Sequence, residues 1–153
     1  MCVSLPRDPP GTFLSENCEH AMVRIKKEIL ERLKESALHN RQQECCGLLA
    51  GRGGVIVRDL PATNALASAT EYEIAPKELF QNMREIREAG LELMGIYHSH
   101  PNSDNKPSPR DMEQAYYPDV AYFIVSPQND APKPVRAFSI QNGKPVELDI
   151  ETV

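Results

Sequence analysis

Two histidines separated by a single residue, His98 and His100, are the side chains in this sequence with the clearest capacity for chemistry. On a β-strand, residues i and i+2 point to the same face and lie roughly 6.6 Å apart along the chain. Two imidazoles on one face can bind one ion, since Zn–N bonds are about 2.0–2.1 Å long. An isolated His-x-His pair is more often only the polar end of a strand, so this pattern needs further ligands to carry weight.

Asp111 is the natural third ligand, because two histidines and one carboxylate leave one position of a tetrahedral zinc open for water. The pattern Ser108-Pro109-Arg110-Asp111 also predicts a helix start, in which the serine and the aspartate cap the first turn. The two interpretations are compatible, because a cap would fix the position of the Asp111 carboxylate. The Ser108 hydroxyl can accept a backbone N–H and still donate its proton to developing negative charge beside a metal.

Glu44 stands at the start of a short apolar run that reads as a strand buried on both faces, residues 44–51. A glutamate at a strand end is usually an exposed side chain. Beside a zinc site, however, its carboxylate could act as a general base, accepting the proton of an activated water and passing it to a leaving amine. Cys45 and Cys46 follow directly, and a thiol nucleophile paired with His98 is the alternative. Thiols in a buried strand are usually inert packing, which makes that alternative the weaker one.

The spacing of apolar residues predicts the elements that position these side chains. Steps of four predict an amphipathic helix over 25–38, and a second helix begins at Pro76 and ends near Gly90. Alternation predicts a half-buried strand around Tyr72 and Ile74. Further strands and a short third helix are predicted at 22–25, 44–51, 55–60, 91–100, 120–126, 135–140 and 146–150, with the third helix starting at 108. This order predicts an α/β fold, a mixed β-sheet with helices packed on its faces.

The composition predicts one globular domain, residues 21–153, preceded by a flexible tail, residues 1–20, rich in proline. The net charge of −5 argues against nucleic acid as a partner, because phosphate binding depends on clustered Lys and Arg. No apolar run approaches the roughly 20 residues of a membrane helix, so we expect no membrane partner. With no apolar signal segment at the start, we expect a cytoplasmic protein with reduced cysteines.

The full set of candidate residues resembles the motif of the JAMM (MPN+) zinc metalloproteases, in particular their small bacterial and archaeal members. That motif is a glutamate on an early strand, then H-[ST]-H-P, six residues, and S-x-x-D. Here these positions are Glu44, His98-Ser99-His100-Pro101, residues 102–107, and Ser108 with Asp111. The flanking residues match as well, and the resemblance covers about residues 21–150.

The resemblance implies an MPN-type single domain that binds Zn2+ through His98, His100 and Asp111. It implies that Glu44 orients and deprotonates the attacking water and that Ser108 stabilises the oxyanion. The implied reaction is hydrolysis of a peptide or isopeptide bond after the C-terminal Gly-Gly of a ubiquitin-like or sulfur-carrier protein. Small members often pair, so a homodimer is also expected. The long insertions by which eukaryotic deubiquitinating members grip ubiquitin are absent from this sequence, which argues against a deubiquitinase.

Two other functions compete with this prediction. The first is a non-enzymatic MPN-type scaffold or binding module, but relatives with that role lack the His, His, Asp set that this sequence has complete. The second is another zinc hydrolase such as a deaminase, which typically carries H-x-E and P-C-x-x-C. Neither deaminase pattern occurs in this chain.

Overall fold

The computed structural model describes residues 21–128 and 131–153. The predicted tail, residues 1–20, lies outside the described residues. Within them the chain forms seven strands and three helices. In chain order these are β1 (Met22–Ile25), α1 (Lys27–His39), β2 (Cys46–Arg52), β3 (Val55–Ala62), α2 (Pro76–Glu88), β4 (Glu92–Ser99), α3 (Pro109–Glu113), β5 (Ala121–Val125), β6 (Val135–Gln141) and β7 (Lys144–Thr152).

The strands form one mixed sheet in the order β1-β3-β2-β4-β5-β6-β7, which confirms the predicted sheet type. The sheet also closes into a barrel, because β1 pairs in parallel with both β3 and β7. Strand β4, which leads to the two histidines, pairs antiparallel with β2 and parallel with β5. A strand held on both sides is stiff, so its carboxyl end is a well-defined platform for side chains.

The two longer helices cover opposite faces of the sheet. Helix α1 buries Ile29, Leu33 and Ala37 in a cluster with Leu49 and other residues of one sheet face. Helix α2 contributes Ile86 to a separate cluster built around residues of the other face, among them Leu48, Ile96, Tyr122 and Ile124. Burial of apolar area at roughly 25 cal/mol per Å² makes these two layers the main stabilising contribution. None of the helices in the described ranges is long and apolar enough to cross a membrane.

Several elements predicted from the sequence are confirmed. Strand β2 is buried from Cys46 to Gly51, as expected for an apolar run without alternation. The pair Asn142-Gly143 connects β6 to β7 with positive φ angles of 54° and 72°, the geometry of a two-residue hairpin turn. Strand β4 ends at Ser99, two residues before Pro101, which has no N–H to donate to a neighbouring strand.

The strand predicted around Tyr72 and Ile74 is wrong, since residues 71–75 form no strand. Both side chains do pack against the apolar cluster on the α2 face, which explains the alternating pattern. The backbone on either side of Tyr72 bonds instead to the side chain of Asn64, which donates to the Glu71 carbonyl and accepts from the Glu73 N–H. A side chain therefore occupies the hydrogen-bonding groups that a neighbouring strand would need.

The close approach of β2, β3 and β4 yields a test of this packing. A Cβ atom added at Gly47 would lie 2.6 Å from the Leu60 carbonyl oxygen and 2.6 Å from the Tyr97 ring. We expect Gly47→Ala to lower the free energy of unfolding by about 3 kcal/mol or more, because backbone and a buried ring must both move. Chemical denaturation would measure this loss.

Gly143→Ala is the matched control, because the space at Gly143 is open and only its positive φ of 72° opposes a side chain. That conformation costs an L-residue about 1–2 kcal/mol. A loss at Gly47 no larger than the loss at Gly143 would contradict the packing described for the three strands.

Candidate metal centre

Three side-chain atoms from two separate segments meet at the carboxyl end of β4. The Nε2 atoms of His98 and His100 lie 3.1 Å apart. The Asp111 Oδ2 atom lies 3.2 Å from the first nitrogen and 3.0 Å from the second. All three residues are buried or nearly so, with 1% of the His98 side chain, 5% of the His100 side chain and 11% of the Asp111 side chain exposed.

The local structure explains why these atoms converge. Tyr97 belongs to the cluster on the α1 face, so the alternation along β4 places His98 and His100 together on the opposite face. Asp111 is held by the predicted capping box, which the structure confirms: Ser108 Oγ accepts from the Asp111 N–H at 3.1 Å, and Asp111 Oδ2 accepts from the Ser108 N–H at 2.9 Å. The cap and the histidines therefore share one carboxylate oxygen.

The geometry of this triangle fits a divalent cation. Ligands of a tetrahedral zinc with bonds of about 2.0–2.1 Å lie roughly 3.3 Å from one another, close to the separations found here. The Nδ1 atom of His100 lies 2.7 Å from the Asp104 carbonyl, which can only accept, so Nδ1 must carry the proton. In neutral imidazole this leaves the lone pair on Nε2, the atom that faces His98 and Asp111.

The electrostatics of the three groups agree with a site built for positive charge. Burial alone would raise the pKa of Asp111, but its contacts with His100 and His98 outweigh that effect and hold the pKa well below its usual range. Burial lowers the pKa of His98. Burial also opposes protonation of His100, yet its contacts with Asp111 and the Asp104 carbonyl leave its pKa raised. The Asp111 carboxylate is thus ionised, and its negative charge would favour a cation at the point where the three atoms meet.

Glu44 lies beside this triangle with its side chain buried, and only 3% of the residue is exposed. A carboxylate oxygen of Glu44 and one nitrogen each of His98 and His100 lie within 4.8 Å of one another. Among the described residues, Glu44 Oε1 has no hydrogen-bond partner. Burial raises the pKa of Glu44 to about 8, although the neighbouring His100 opposes the increase.

The end of β4 also positions the segment that carries Glu44. Ser99, which strand alternation places on the face opposite to His98 and His100, is fully buried, and its Oγ accepts from the Cys45 N–H at 2.9 Å. The Ser99 N–H in turn donates to the Cys45 carbonyl at 3.0 Å. These two hydrogen bonds hold Cys45, which follows Glu44, against Ser99, which lies between the two histidines.

The cysteine alternative loses support from the same geometry. Cys46 is buried, and burial raises the pKa of its thiol to about 12. Its Sγ atom lies 3.7 Å from the Ala62 carbonyl. A nucleophilic cysteine needs a thiolate, so a thiol held protonated in the sheet is packing.

Two residues of the site were missed by the sequence reasoning. The Tyr72 ring stacks on the His98 ring with centroids 4.6 Å apart and an angle of 22° between the planes. Asn64 is buried, with 4% exposed, and holds the loop that carries Tyr72. No local pattern marks either residue, because both act on side chains that are distant in the sequence.

The burial of Glu44 predicts how stability depends on pH in the metal-free protein. Below pH 4.5, the folded and unfolded chains both keep the Glu44 proton, whereas between pH 4.5 and about 8 only the folded chain keeps it. Stability therefore falls as the pH rises through this window. We expect the free energy of unfolding of Glu44→Gln to exceed that of wild type by at least about 1 kcal/mol at pH 8 and to equal it near pH 4. Urea denaturation in the presence of a chelator would measure both values.

The matched control is Glu113→Gln, which makes the same substitution on an exposed side chain. We expect this control to follow the wild-type curve at both pH values. A Glu44→Gln variant with no gain at pH 8 would show that the folded protein ionises Glu44 as easily as the unfolded chain does.

Comparison with known proteins relates this site to a family. The model of the prokaryotic homologs of the JAB domain matches residues 26–141. A desampylase from Haloferax volcanii is 36% identical over 105 residues, which cover 67% of this chain and 76% of the relative. A CysO-cysteine peptidase from Mycobacterium tuberculosis is 30% identical over 131 residues, which cover 84% and 90% of the two chains.

The fold has relatives among solved structures. The solution structure of a protein from Desulfitobacterium hafniense superposes with a TM-score of 0.75 at 28% identity, covering 86% of this chain and 93% of the other. The family match alone spans well over half of the sequence. This chain therefore belongs to the prokaryotic JAB-domain family, and the predicted relationship to small prokaryotic JAMM/MPN+ proteins is confirmed.

Proposed function

We propose that this chain is a zinc-dependent metallopeptidase that hydrolyses a peptide or isopeptide bond after the C-terminal Gly-Gly of a ubiquitin-like or sulfur-carrier protein. The observation that carries the proposal is the convergence of two imidazole nitrogens and one carboxylate oxygen, at 3.0–3.2 Å, beside a buried carboxyl without a partner among the described residues. A scaffold has no need for this arrangement, because burying an unpaired polar group is costly.

In this proposal His98, His100 and Asp111 would hold a zinc ion. The two nitrogens and the carboxylate oxygen already form a triangle of the required size. Glu44 is close enough to be a ligand as well, but Asp111 touches both histidines and is held there by its cap. A bound zinc ion would act as a Lewis acid that acidifies water and polarises the scissile carbonyl.

Glu44 moves the proton in this mechanism. Its carboxylate takes a proton from the attacking water and delivers it to the departing amine, so one residue serves as base and then as acid. Burial raises the pKa of Glu44 to about 8 in the metal-free protein, and a cation bound beside it would lower that pKa toward neutrality, where a carboxyl can both accept and donate a proton. The Oε1 atom, which has no partner among the residues that the structure describes, can make the hydrogen bond that the water requires.

Ser108 completes the set by donating to the oxyanion. Its Oγ atom accepts from the Asp111 N–H, which uses one lone pair and leaves the hydroxyl proton to be donated. A fixed donor at the site of developing charge is typically worth 10²–10³-fold in rate. The cap therefore fixes the donor and the Asp111 carboxylate with the same bonds.

The proposed substrate class agrees with the relatives and with the shape beside the site. One relative is named for cleaving a CysO-cysteine bond. Glycines have no side chains, so a Gly-Gly tail can lie extended in a narrow groove. A cavity of about 270 Å³ adjoins the stacked Tyr72, and its lining combines apolar and tyrosine side chains, among them Ile74 and Leu79, with the polar side chains of Glu73, Arg110 and Gln114. This cavity can take an apolar side chain of the carrier.

The remaining expectations concern the cellular location, the oligomeric state and nucleic acid as a partner. We propose a cytoplasmic location, supported by two free thiols, Cys45 and Cys46, in the described part of the chain. A homodimer is proposed on the family resemblance alone, and nucleic acid is not a proposed partner because the net charge is −5.

The activity is tested with a fusion in which a sulfur-carrier protein ending in Gly-Gly is followed by cysteine or by a lysine-linked protein. We expect the wild-type protein with stoichiometric zinc to release the carrier, and Glu44→Gln to keep its zinc but lose at least about 100-fold in kcat, because it cannot accept a proton. Mass spectrometry of the products and metal analysis give the two readouts. Wild-type protein with full zinc that leaves every such fusion intact would exclude the proposal.

Metal removal provides an independent test. We expect dialysis against a chelator to abolish cleavage and added zinc to restore it, because the three proposed ligands alone do not activate water. The substitutions His98→Ala and His100→Ala, each of which removes one proposed ligand, should lower the zinc content as well as the rate of cleavage. Cleavage that survives complete removal of zinc would point to a different mechanism.

A further inference from the structure

One buried asparagine connects the parts of the site that come from different segments. Asn64 is 4% exposed. Its Nδ2 group donates to the Glu44 carbonyl at 3.1 Å and to the Glu71 carbonyl at 3.0 Å, with the Ser68 carbonyl at 3.3 Å. An NH₂ group has two hydrogens, so one of them is shared between two acceptors. Every acceptor is backbone, which means that the amide fixes the path of the chain.

The oxygen of the same side-chain amide accepts hydrogen bonds from the loop that follows Asn64. Asn64 Oδ1 accepts from the Leu66 N–H at 3.1 Å and from the Glu73 N–H at 3.3 Å. The backbone adds two bonds to this frame, from the Glu44 N–H to the Ser68 carbonyl and from the Ala65 N–H to the Glu73 carbonyl, both 2.8 Å long. The loop 64–73 is therefore organised around one side chain and attached to Glu44 on both sides of its Cα atom.

This loop contacts the metal centre at two places. Tyr72 stacks on the ring of His98. Glu71, whose carbonyl accepts from Asn64, pairs with Arg110 at 3.0 Å, and Arg110 is the residue before Asp111 in α3. Movement of the loop would therefore displace the backbone of Glu44, the Tyr72 ring that stacks on His98, and the helix that carries Asp111.

We propose that Asn64 is a positioning residue that sets the distance of the Glu44 carboxylate from the His98–His100–Asp111 triangle and holds Tyr72 against His98. The inference rests on the proposed function, since it assigns Asn64 to the support of the proton-transfer step. None of the hydrogen bonds of the Asn64 side chain in the described part of the chain goes to the three proposed ligands. Its loss leaves the triangle intact and displaces its neighbours, because the carbonyls and N–H groups that it satisfies must find other partners.

The test compares Asn64→Ala with wild type in zinc content, kinetics and the NMR signals of His98. We expect zinc to stay stoichiometric and KM to change less than twofold, while kcat falls at least tenfold. The His98 ring protons, shielded by the stacked Tyr72 ring, should move downfield as the stack loosens. If Asn64→Ala does not fold, Asn64→Asp takes its place, because it keeps the acceptor oxygen but loses the donated bonds.

Leu33→Ala is the control for a simple loss of stability. Leu33 is 1% exposed on α1, in the apolar cluster on the other face of the sheet. We expect this variant to unfold more easily yet to keep wild-type kcat and the wild-type His98 shifts, measured below its unfolding transition. An equal fall in kcat in both variants, or an unchanged kcat in Asn64→Ala, would overturn the inference.

The NMR readout separates this inference from the proposed function. If wild-type protein cleaves no carrier fusion, the proposed function fails, yet the His98 signals of the zinc-loaded variant still report whether Asn64 holds the stack. Shifts that remain at their wild-type positions in Asn64→Ala and Asn64→Asp would then overturn the role of Asn64. Shifts that move downfield in both variants would support it.

Discussion

The structure depends on one electrostatic constraint: two imidazole nitrogens and one carboxylate oxygen direct their lone pairs at a single buried point. Atoms of this kind repel one another unless a proton or a cation lies between them, and the low polarity of the surroundings strengthens both the repulsion and its relief. His98, His100 and Asp111 meet this condition at separations of 3.0–3.2 Å. The arrangement therefore has the donor atoms and the spacing of a cation site.

The surrounding elements of the fold hold these three side chains in place. Strand β4 is paired on both sides, and its Cys46↔His98 register places the start of β2 beside the first histidine. Ser99 strengthens the same junction by bonding to Cys45 through its side chain and its backbone. Glu44 is brought to the metal centre by the pairing of two strands that are far apart in sequence.

The site also shows the conflict between stability and function that active sites commonly have. Glu44 is buried with an oxygen that lacks a partner among the described residues, and its pKa is raised to about 8 as a result. A carboxyl in this state destabilises the folded chain at neutral pH, yet this is the state in which it can exchange protons readily. The fold tolerates the cost because two apolar layers stabilise the sheet around it.

Much of the site could be predicted from the sequence because its signals are local. The spacing of His98 and His100 on a strand, the Ser108–Asp111 cap and the turn at Asn142-Gly143 all depend on contacts within a few residues, and the structure confirms each of these placements. The roles of these residues in catalysis stay predictions. The strand predicted around Tyr72 is wrong because Asn64 takes the backbone bonds that a partner strand would use.

By itself, the sequence determined the order of the elements apart from the strand wrongly predicted around Tyr72, the buried character of β2, and the set of residues that resemble a zinc peptidase motif. Only the tertiary structure decided that the sheet closes between β1 and β7, that Tyr72 lies on His98, and that Asn64 joins Glu44 to the loop above the site. The physical reason is the separation along the chain of the residues that contact one another. Helical stripes, strand alternation and caps arise from neighbours in the chain, whereas a buried side chain such as Asn64 acquires its partners only when distant segments have packed together.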